Sequence, residues 1–354
     1  MRFALSEEQI EFRDAVRALL DERCTPTDVR SAWADPVLAG GGSGGGDGRV
    51  RRAWSALAEM GVLGICVPEA HGGLGMDDED LVALLIEVGR AGLPDPVSST
   101  AGVAAGVLRE HAPPGVAAEW LPGIASGEVA VGVGFGPDVT GGGSPVVAAA
   151  RSVDALLLFD RGEVHLVRPS SVSLTPLDSI DGARHLARVS WEPSPATLVV
   201  DGDAGFTATN AAFDRAALGA AAMLVGLGRR MLDMTVAYAS ERHQFGVPIG
   251  SFQAVKHQLA DASLGVEFAE PLVLRAANSL AHGDADVATH VSMAKAKASV
   301  AAKAAAATSL QVHGAIGYTV ECDLHLYMKR AWALASRYGD AEFHRRRIRS
   351  SLVR

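Results

Sequence analysis

From about Gly127 to Ala204 the chain changes its period, and this change limits the folds open to it. On either side, apolar residues recur every three or four positions, as on one face of a helix. Between them stand short β-type runs, "EVAVGVGF", "DALLLFD", "EVHLVRP", "HLARVSW" and "ATLVV", divided by Gly, Asp and Pro. The text predicts helices, then a small β domain read as an antiparallel sheet or barrel, then a helical bundle. The fold class is therefore α+β, mainly α, with boundaries at 1–126, 127–206 and 207–354. The GxG look of "GVGFG" fits no dinucleotide-binding pattern.

Local signals fill in the helices. Ser6 and Gln9 form a capping box ahead of a helix over Glu7–Cys24, with Phe12, Val16, Leu19 and Leu20 on one face. "AGGGSGGGDGRV" (Ala39–Val50) reads as a flexible insert. Further helices are expected over about Arg51–Met60, from the acidic run Asp77–Asp80 onward, and over Thr100–Glu110 and Gly115–Ala125. After about Thr209 they are long. Leu224, Leu227, Met231, Thr235 and Tyr238 make one stripe, and Phe252, Val255, Leu259, Ala262 and Val266 another. An Ala-rich helix runs to Gly314 and Gly317, and helices over about Glu321–Arg337 and Asp340–Leu352 close the chain.

Several functions are disfavoured. The net charge is −9 over 354 residues, and no basic block stands outside the extreme C-terminus, so no nucleic-acid partner is expected. "HRRRIRSSLVR" at that end reads as a solvated helix end. Cys24, Cys66 and Cys322 are too scattered for a zinc site or a disulfide framework, and no HExxH pair is present, so no metal is expected. The N-terminus is acidic where a signal peptide is apolar. No run reaches the ~18 consecutive apolar residues of a membrane span. The expectation is a cytoplasmic protein with no membrane partner.

Four stretches, in order, resemble the acyl-CoA dehydrogenase family. They are "MGVLGICVPEAHGGLGM", "WLPGIASGEVAVGVGF", "ERHQFGVPIGSFQAVKHQLAD" and "QVHGAIGYTVECDLHLYMKRA". The resemblance implies an N-terminal helical domain, a middle β domain (here shortened) and a C-terminal four-helix bundle. It also implies FAD bound across a subunit interface, an acyl-CoA substrate, and electron-transfer flavoprotein as acceptor. In the family an R-x-x-F-G motif and a Q-x-x-G-G motif reach the FAD of a neighbouring subunit. Those positions are Arg242 and Phe245, with Gln244 between them, and Gln311 with Gly314 and Ala315, where Ala replaces the second Gly. Gln253 matches a further family Gln.

The family's base, by contrast, is missing. Its Glu occupies one of two positions, which fall here on Tyr338 and Ala216; the Arg after the second falls on Ala217. A tyrosine, with an ordinary pKa of ~10, is too weak a base at neutral pH. The flavin-lining run of the middle domain is replaced by "GPDVTGGGSP". This pattern resembles the non-catalytic subunit of actinobacterial α2β2 heterotetramers, which completes the FAD site of an acyl-CoA dehydrogenase-family partner whose own site takes the acyl-CoA. Two other readings stay open: a self-sufficient homo-oligomeric flavoenzyme with Asp340 or Glu342 as a displaced base, and a flavin-free scaffold of the same fold. The acyl group, whether fatty, branched or a steroid side chain, also stays open.

Overall fold

The structure, a computed structural model, describes residues 5–33, 46–140 and 143–353, leaving aside the side chains of 138 and 140. The Gly-rich insert read over Ala39–Val50 lies outside the described residues as far as 45. The N-terminal third holds α1 (Glu7–Arg23), α2 (Pro26–Ser31), α3 (Arg51–Glu59), α4 (Asp78–Ala91), α5 (Ala105–His111) and α6 (Pro114–Ser126). The capping box forms: Ser6 N donates to Gln9 Oε1 at 2.9 Å, and Gln9 N donates to Ser6 Oγ at 3.2 Å. Asp77 caps α4 by accepting from Glu79 N at 2.8 Å, and three acids fill the first turn, where the helix dipole favours them. A π-helical segment, Ser98–Ala104, leads into α5.

The middle region is two sheets, where the sequence suggests one antiparallel sheet or barrel. Its elements are β1 (Val131–Phe135), the short α7 (Pro137–Thr140), β2 (Val146–Val147), β3 (Ala155–Asp160), β4 (Glu163–Val167), β5 (Ser173–Pro176), β6 (Ala187–Ser190) and β7 (Leu198–Val200). One sheet has the order β1-β3-β4-β7 and the other β2-β6-β5. β1 runs parallel to β3, from Val131 opposite Ala155 to Phe135 opposite Phe159. Parallel alignment is possible because α7 and β2 intervene and carry the chain back to the start of the sheet. β3 and β4 meet instead through a tight turn in which Arg161 and Gly162 both have positive φ, 51° and 77°.

The C-terminal part holds α8 (Gly202–Glu241), a hairpin of β8 (His243–Gln244) and β9 (Val247–Pro248), then α9 (Gln253–Glu267), α10 (Glu270–Ala281), α11 (Val287–His313), α12 (Leu324–Ser336) and α13 (Ala341–Leu352). The 40-residue α8 is the axis of the molecule and packs on α11, α4 and α12. It is long and apolar enough to cross a membrane, but 94% of its most apolar window is buried inside the protein, so it is a core helix. The α8 stripe read from sequence is buried from Leu224 to Thr235, with Tyr238 half-buried. On α9 only Ala262 and Val266 are buried, and Phe252 is exposed.

Glycines bring α8 and α4 into backbone contact. A Cβ on Gly226 would stand 1.8 Å from Ile86 O, and one on Gly89 would stand 2.2 Å from Met223 O. Buried charge reinforces the contact. Arg215 of α8 lies 3.3 Å from Asp78 of α4 and donates to Glu110 of α5 at 2.6 Å. Burial pushes the Asp78 carboxyl up, against the pull of Arg215.

Two buried titratable groups hold the loop between α12 and α13. Lys295 Nζ donates to Ser299 Oγ at 3.1 Å, Ala335 O at 3.1 Å and Gly339 O at 2.9 Å. Burial lowers its pKa to about 7. His344 Nε2 donates to Tyr338 O at 2.9 Å, which leaves Nδ1 to accept from Ser292 Oγ at 3.1 Å. The C-terminal basic run is thus not a simple solvated end: His344 is fully buried, and Arg347 pairs with Asp214.

Two predictions follow from this packing. Gly226→Ala gains up to ~1 kcal/mol of helix propensity, but a backbone oxygen blocks its methyl, and overpacking of this kind costs about 1–3 kcal/mol. The variant should unfold at a lower temperature than the native chain, whereas Gly265→Ala, whose Cβ would meet nothing nearer than 3.8 Å, should be neutral or stabilising. The second concerns pH. Burial pushes His344 down to about 4. Between pH ~6.5 and 4 the unfolded imidazole binds a proton that the folded one refuses, so stability falls as pH falls through that window. Denaturant titrations at stepped pH should show the fall, and His344→Gln should flatten it; His325, also held at about 4, supplies part of the remainder.

Candidate functional site

The residues of the two C-terminal motifs gather at one edge. α8 ends at Arg242, and the chain turns at once through the two-residue loop Phe245–Gly246, with φ of 53° and 84°. Positive φ at both positions marks the hairpin turn that matches strand twist, and it lifts Phe245 out of the surface, 92% exposed. Its nearest ring is that of Phe252, edge-on at 6.2 Å. Arg242 is anchored through its backbone: its N donates to Tyr238 O at 2.9 Å, and its O accepts from Ile249 N at 2.7 Å. Its side chain is exposed, and among the described residues the guanidinium has no ion pair.

The second motif closes on the first through stacked rings. Tyr238 lies over His313 at 4.4 Å and 16°, and its hydroxyl donates to His313 O at 3.4 Å. This contact places Gln311, Gly314 and Ala315, all exposed at the end of α11, near the end of α8. Gly314 has φ 66° and ψ −144°, and no atom lies within 4 Å of a would-be Cβ. Only glycine adopts that backbone readily, and the space above it is open. Gln244 in the hairpin and Gln253 at the start of α9 are exposed as well. A guanidinium without an ion pair, an exposed flat ring, amide side chains and an approachable backbone suit a large phosphate-bearing aromatic group such as FAD. They lie on open surface, so they supply one side of such a site.

The two base positions converge elsewhere. Ala216 and Tyr338 border one cavity of about 80 Å³, well below the ~300–1,000 Å³ of typical small-molecule sites. Ala217 is fully buried within α8. Three arginines border the same cavity: Arg184, Arg330 and Arg337. Arg337 donates to Val146 O at 2.6 Å and to Val133 O at 3.4 Å, and its guanidinium lies over the Tyr338 ring at 4.6 Å. The bordering carboxylate, Asp95, is already bound by Arg49 Nε at 2.5 Å and Val50 N at 2.7 Å. A neighbouring cavity of about 360 Å³, beside Phe135, Phe213 and Tyr338, is lined by no carboxylate among the described residues.

The displaced acids are engaged or remote. Asp340 caps α13, accepting from Phe343 N at 2.8 Å, and that bond lowers its pKa, which makes it a poorer base. Glu342 is exposed in the first turn of α13, 3.9 Å from Arg345. Sequence reasoning did not single out Arg184, Arg330, Arg337 or Lys295. Arg330 stands inside a quoted motif, but nothing local in the sequence shows that these side chains converge.

The family's two domain descriptions cover most of the chain. Acyl-CoA dehydrogenase, N-terminal domain, matches residues 6–128, and Acyl-CoA dehydrogenase, C-terminal domain, matches 203–353. The chain is 33% identical over 328 residues to acyl-CoA dehydrogenase IpdE2 of Mycobacterium tuberculosis, covering 92% of this chain and 91% of that protein. It is 34% identical over 361 residues to acyl-CoA dehydrogenase FadE34 of the same organism, spanning 94% of this chain but 48% of that protein. Among solved structures it is similar to the ChsE4–ChsE5 complex of M. tuberculosis, with a TM-score of 0.82, 25% identity, and coverage of 100% of this chain and 99% of that one. With its fold, its two motifs and these relatives in agreement, the chain belongs to the acyl-CoA dehydrogenase family.

Proposed function

We propose that this chain is the non-catalytic subunit of a heteromeric, FAD-dependent acyl-CoA dehydrogenase. It completes the FAD site of a partner of its own family in an α2β2 assembly, and the partner's site takes the acyl-CoA. The observation that carries the reading is a contrast within one chain. The residues of the cofactor edge stand exposed, while both base positions border a cavity too small for a flavin and an acyl chain, and the larger cavity beside Tyr338 has no carboxylate among its described lining residues. The ChsE4–ChsE5 neighbour, itself a complex, supports the reading.

Each residue then has a physical task. Arg242 forks two bonds to a phosphate pair. Phe245 covers a ring face and keeps water from it. Gln311 and Gln253 offer amide donors, and Gly314 lets the backbone approach without a side chain in the way. FAD held there would supply hydride-accepting chemistry toward the partner's acyl-CoA, with electron-transfer flavoprotein as the electron acceptor in this reading. The self-sufficient alternative is weaker, because Asp340 is a helix cap and Glu342 borders neither of the cavities beside Tyr338.

Two experiments test the proposal. The isolated chain should bind little FAD and show no acyl-CoA dehydrogenase turnover, and neither Ala216→Glu nor Tyr338→Glu should create it; stoichiometric flavin with turnover in the isolated chain would refute the reading. In the assembled complex, Arg242→Ala should lower flavin affinity about 10- to 100-fold, since a charge-assisted bond to phosphate contributes ~1.5–3 kcal/mol. Flavin content per complex is the readout, size-exclusion profiles confirm assembly, and Arg345→Ala is the control.

A further inference from the structure

The cavity beside Ala216 and Tyr338 carries more positive charge than its neighbours neutralise. Asp95 is matched by Arg49, and Asp181 by Arg330, whose NH1 donates to it at 3.0 Å. Among the described residues Arg337 has two backbone carbonyls as its hydrogen-bond acceptors. Arg184 has less still: it lines the cavity half-buried, and among the described residues its guanidinium has no hydrogen bond and no ion pair. Its charge is strained, for burial and the nearby Arg337 lower its pKa to about 10. Arg330 Nε is a buried donor without an acceptor among the described residues. A buried donor left unmatched on one of several cations lining one cavity is unfavourable unless something accepts from it.

We propose that this cavity is an anion site, in which the Arg184 guanidinium, with Arg330 Nε and Arg337 beside it, binds one small oxyanion of the phosphate, sulfate or short-carboxylate class. The volume agrees. A water needs roughly 10–15 Å³ by this measure, so about 80 Å³ holds an ion of about five heavy atoms and excludes a nucleotide. The planar fork of arginine is suited to two parallel bonds to such an ion. The inference does not depend on the FAD-completing reading, since it concerns a cavity set apart from the exposed cofactor edge. It assigns that cavity a structural ligand in place of a reaction.

The test is thermal unfolding of the full chain, with its partner where one co-purifies. Phosphate, sulfate and acetate are titrated in turn against chloride at matched ionic strength. The melting temperature should rise saturably, by about 3–4 °C at a hundredfold excess over Kd, and the ranking of the three shows whether tetrahedral or planar oxyanions are preferred. Arg184→Met should abolish the anion-dependent rise while melting at or above the native chain in chloride, because it removes a charge crowded by Arg337. Arg184→Lys should keep a weaker response, and Arg345→Ala the full one. No saturable rise with any of the three anions, or an equal rise in Arg184→Met, overturns the proposal. If Arg184→Met does not fold, titration calorimetry on the native chain decides: no binding heat beyond that of chloride overturns it.

Discussion

The approach of α8 to α4 is the contact on which the other placements depend. With Gly226 against Ile86 O and Gly89 against Met223 O, two backbones meet with no side chain between them. Such a seam cannot slide, because a shift of one residue would drive a Cβ into a carbonyl. Arg215, braced by Asp78 and Glu110, fixes rotation about the same seam. α8 therefore delivers Ala216 to a buried cavity and Arg242 to the surface, about 40 Å apart along its axis. One rigid rod carries both Ala216 and Arg242, so in the proposed reading the lack of a base at the first leaves the geometry of the second untouched.

The cavity is lined by its own charges. Where the family pattern calls for a carboxylate, this chain has Tyr338, with Arg337 folded over its ring and bonded to carbonyls of β1 and β2. A guanidinium in that position cannot accept a proton from a substrate carbon, and its bonds tie the α12–α13 loop to both sheets. Lys295 and His344 hold the same loop from behind.

Much of this was legible in the sequence where the signal is local. Capping residues, periodic stripes and β runs located most helices and strands within a few residues, and the motifs named the edge that Tyr238 and His313 join. What escaped depends on tertiary partners. β2 and β5 are too short to show an alternation of their own, and α10 follows α9 so closely that Pro271 in its first turn is the main punctuation. The parallel β1–β3 pair could not be read from runs that look alike in either direction. The arginine cavity is the clearest case: Arg184, Arg330 and Arg337 stand up to 153 positions apart, and only the fold shows that they share a wall.

Phe245 has a consequence for the life of the chain before assembly. A bulky residue with φ of 53° is strained by ~1–2 kcal/mol, and its ring lies in water. Phe252, Leu264 and Phe268 extend the apolar surface along the hairpin and α9. A face of this kind binds other apolar faces without discrimination. In the proposed assembly a partner covers it; an orphan copy exposes it to chaperones, proteases and its own kind. In that proposed assembly aggregation is the expected fate of surplus chain, and matched synthesis of the two subunits becomes a demand on expression that begins with one aromatic ring on a two-residue turn.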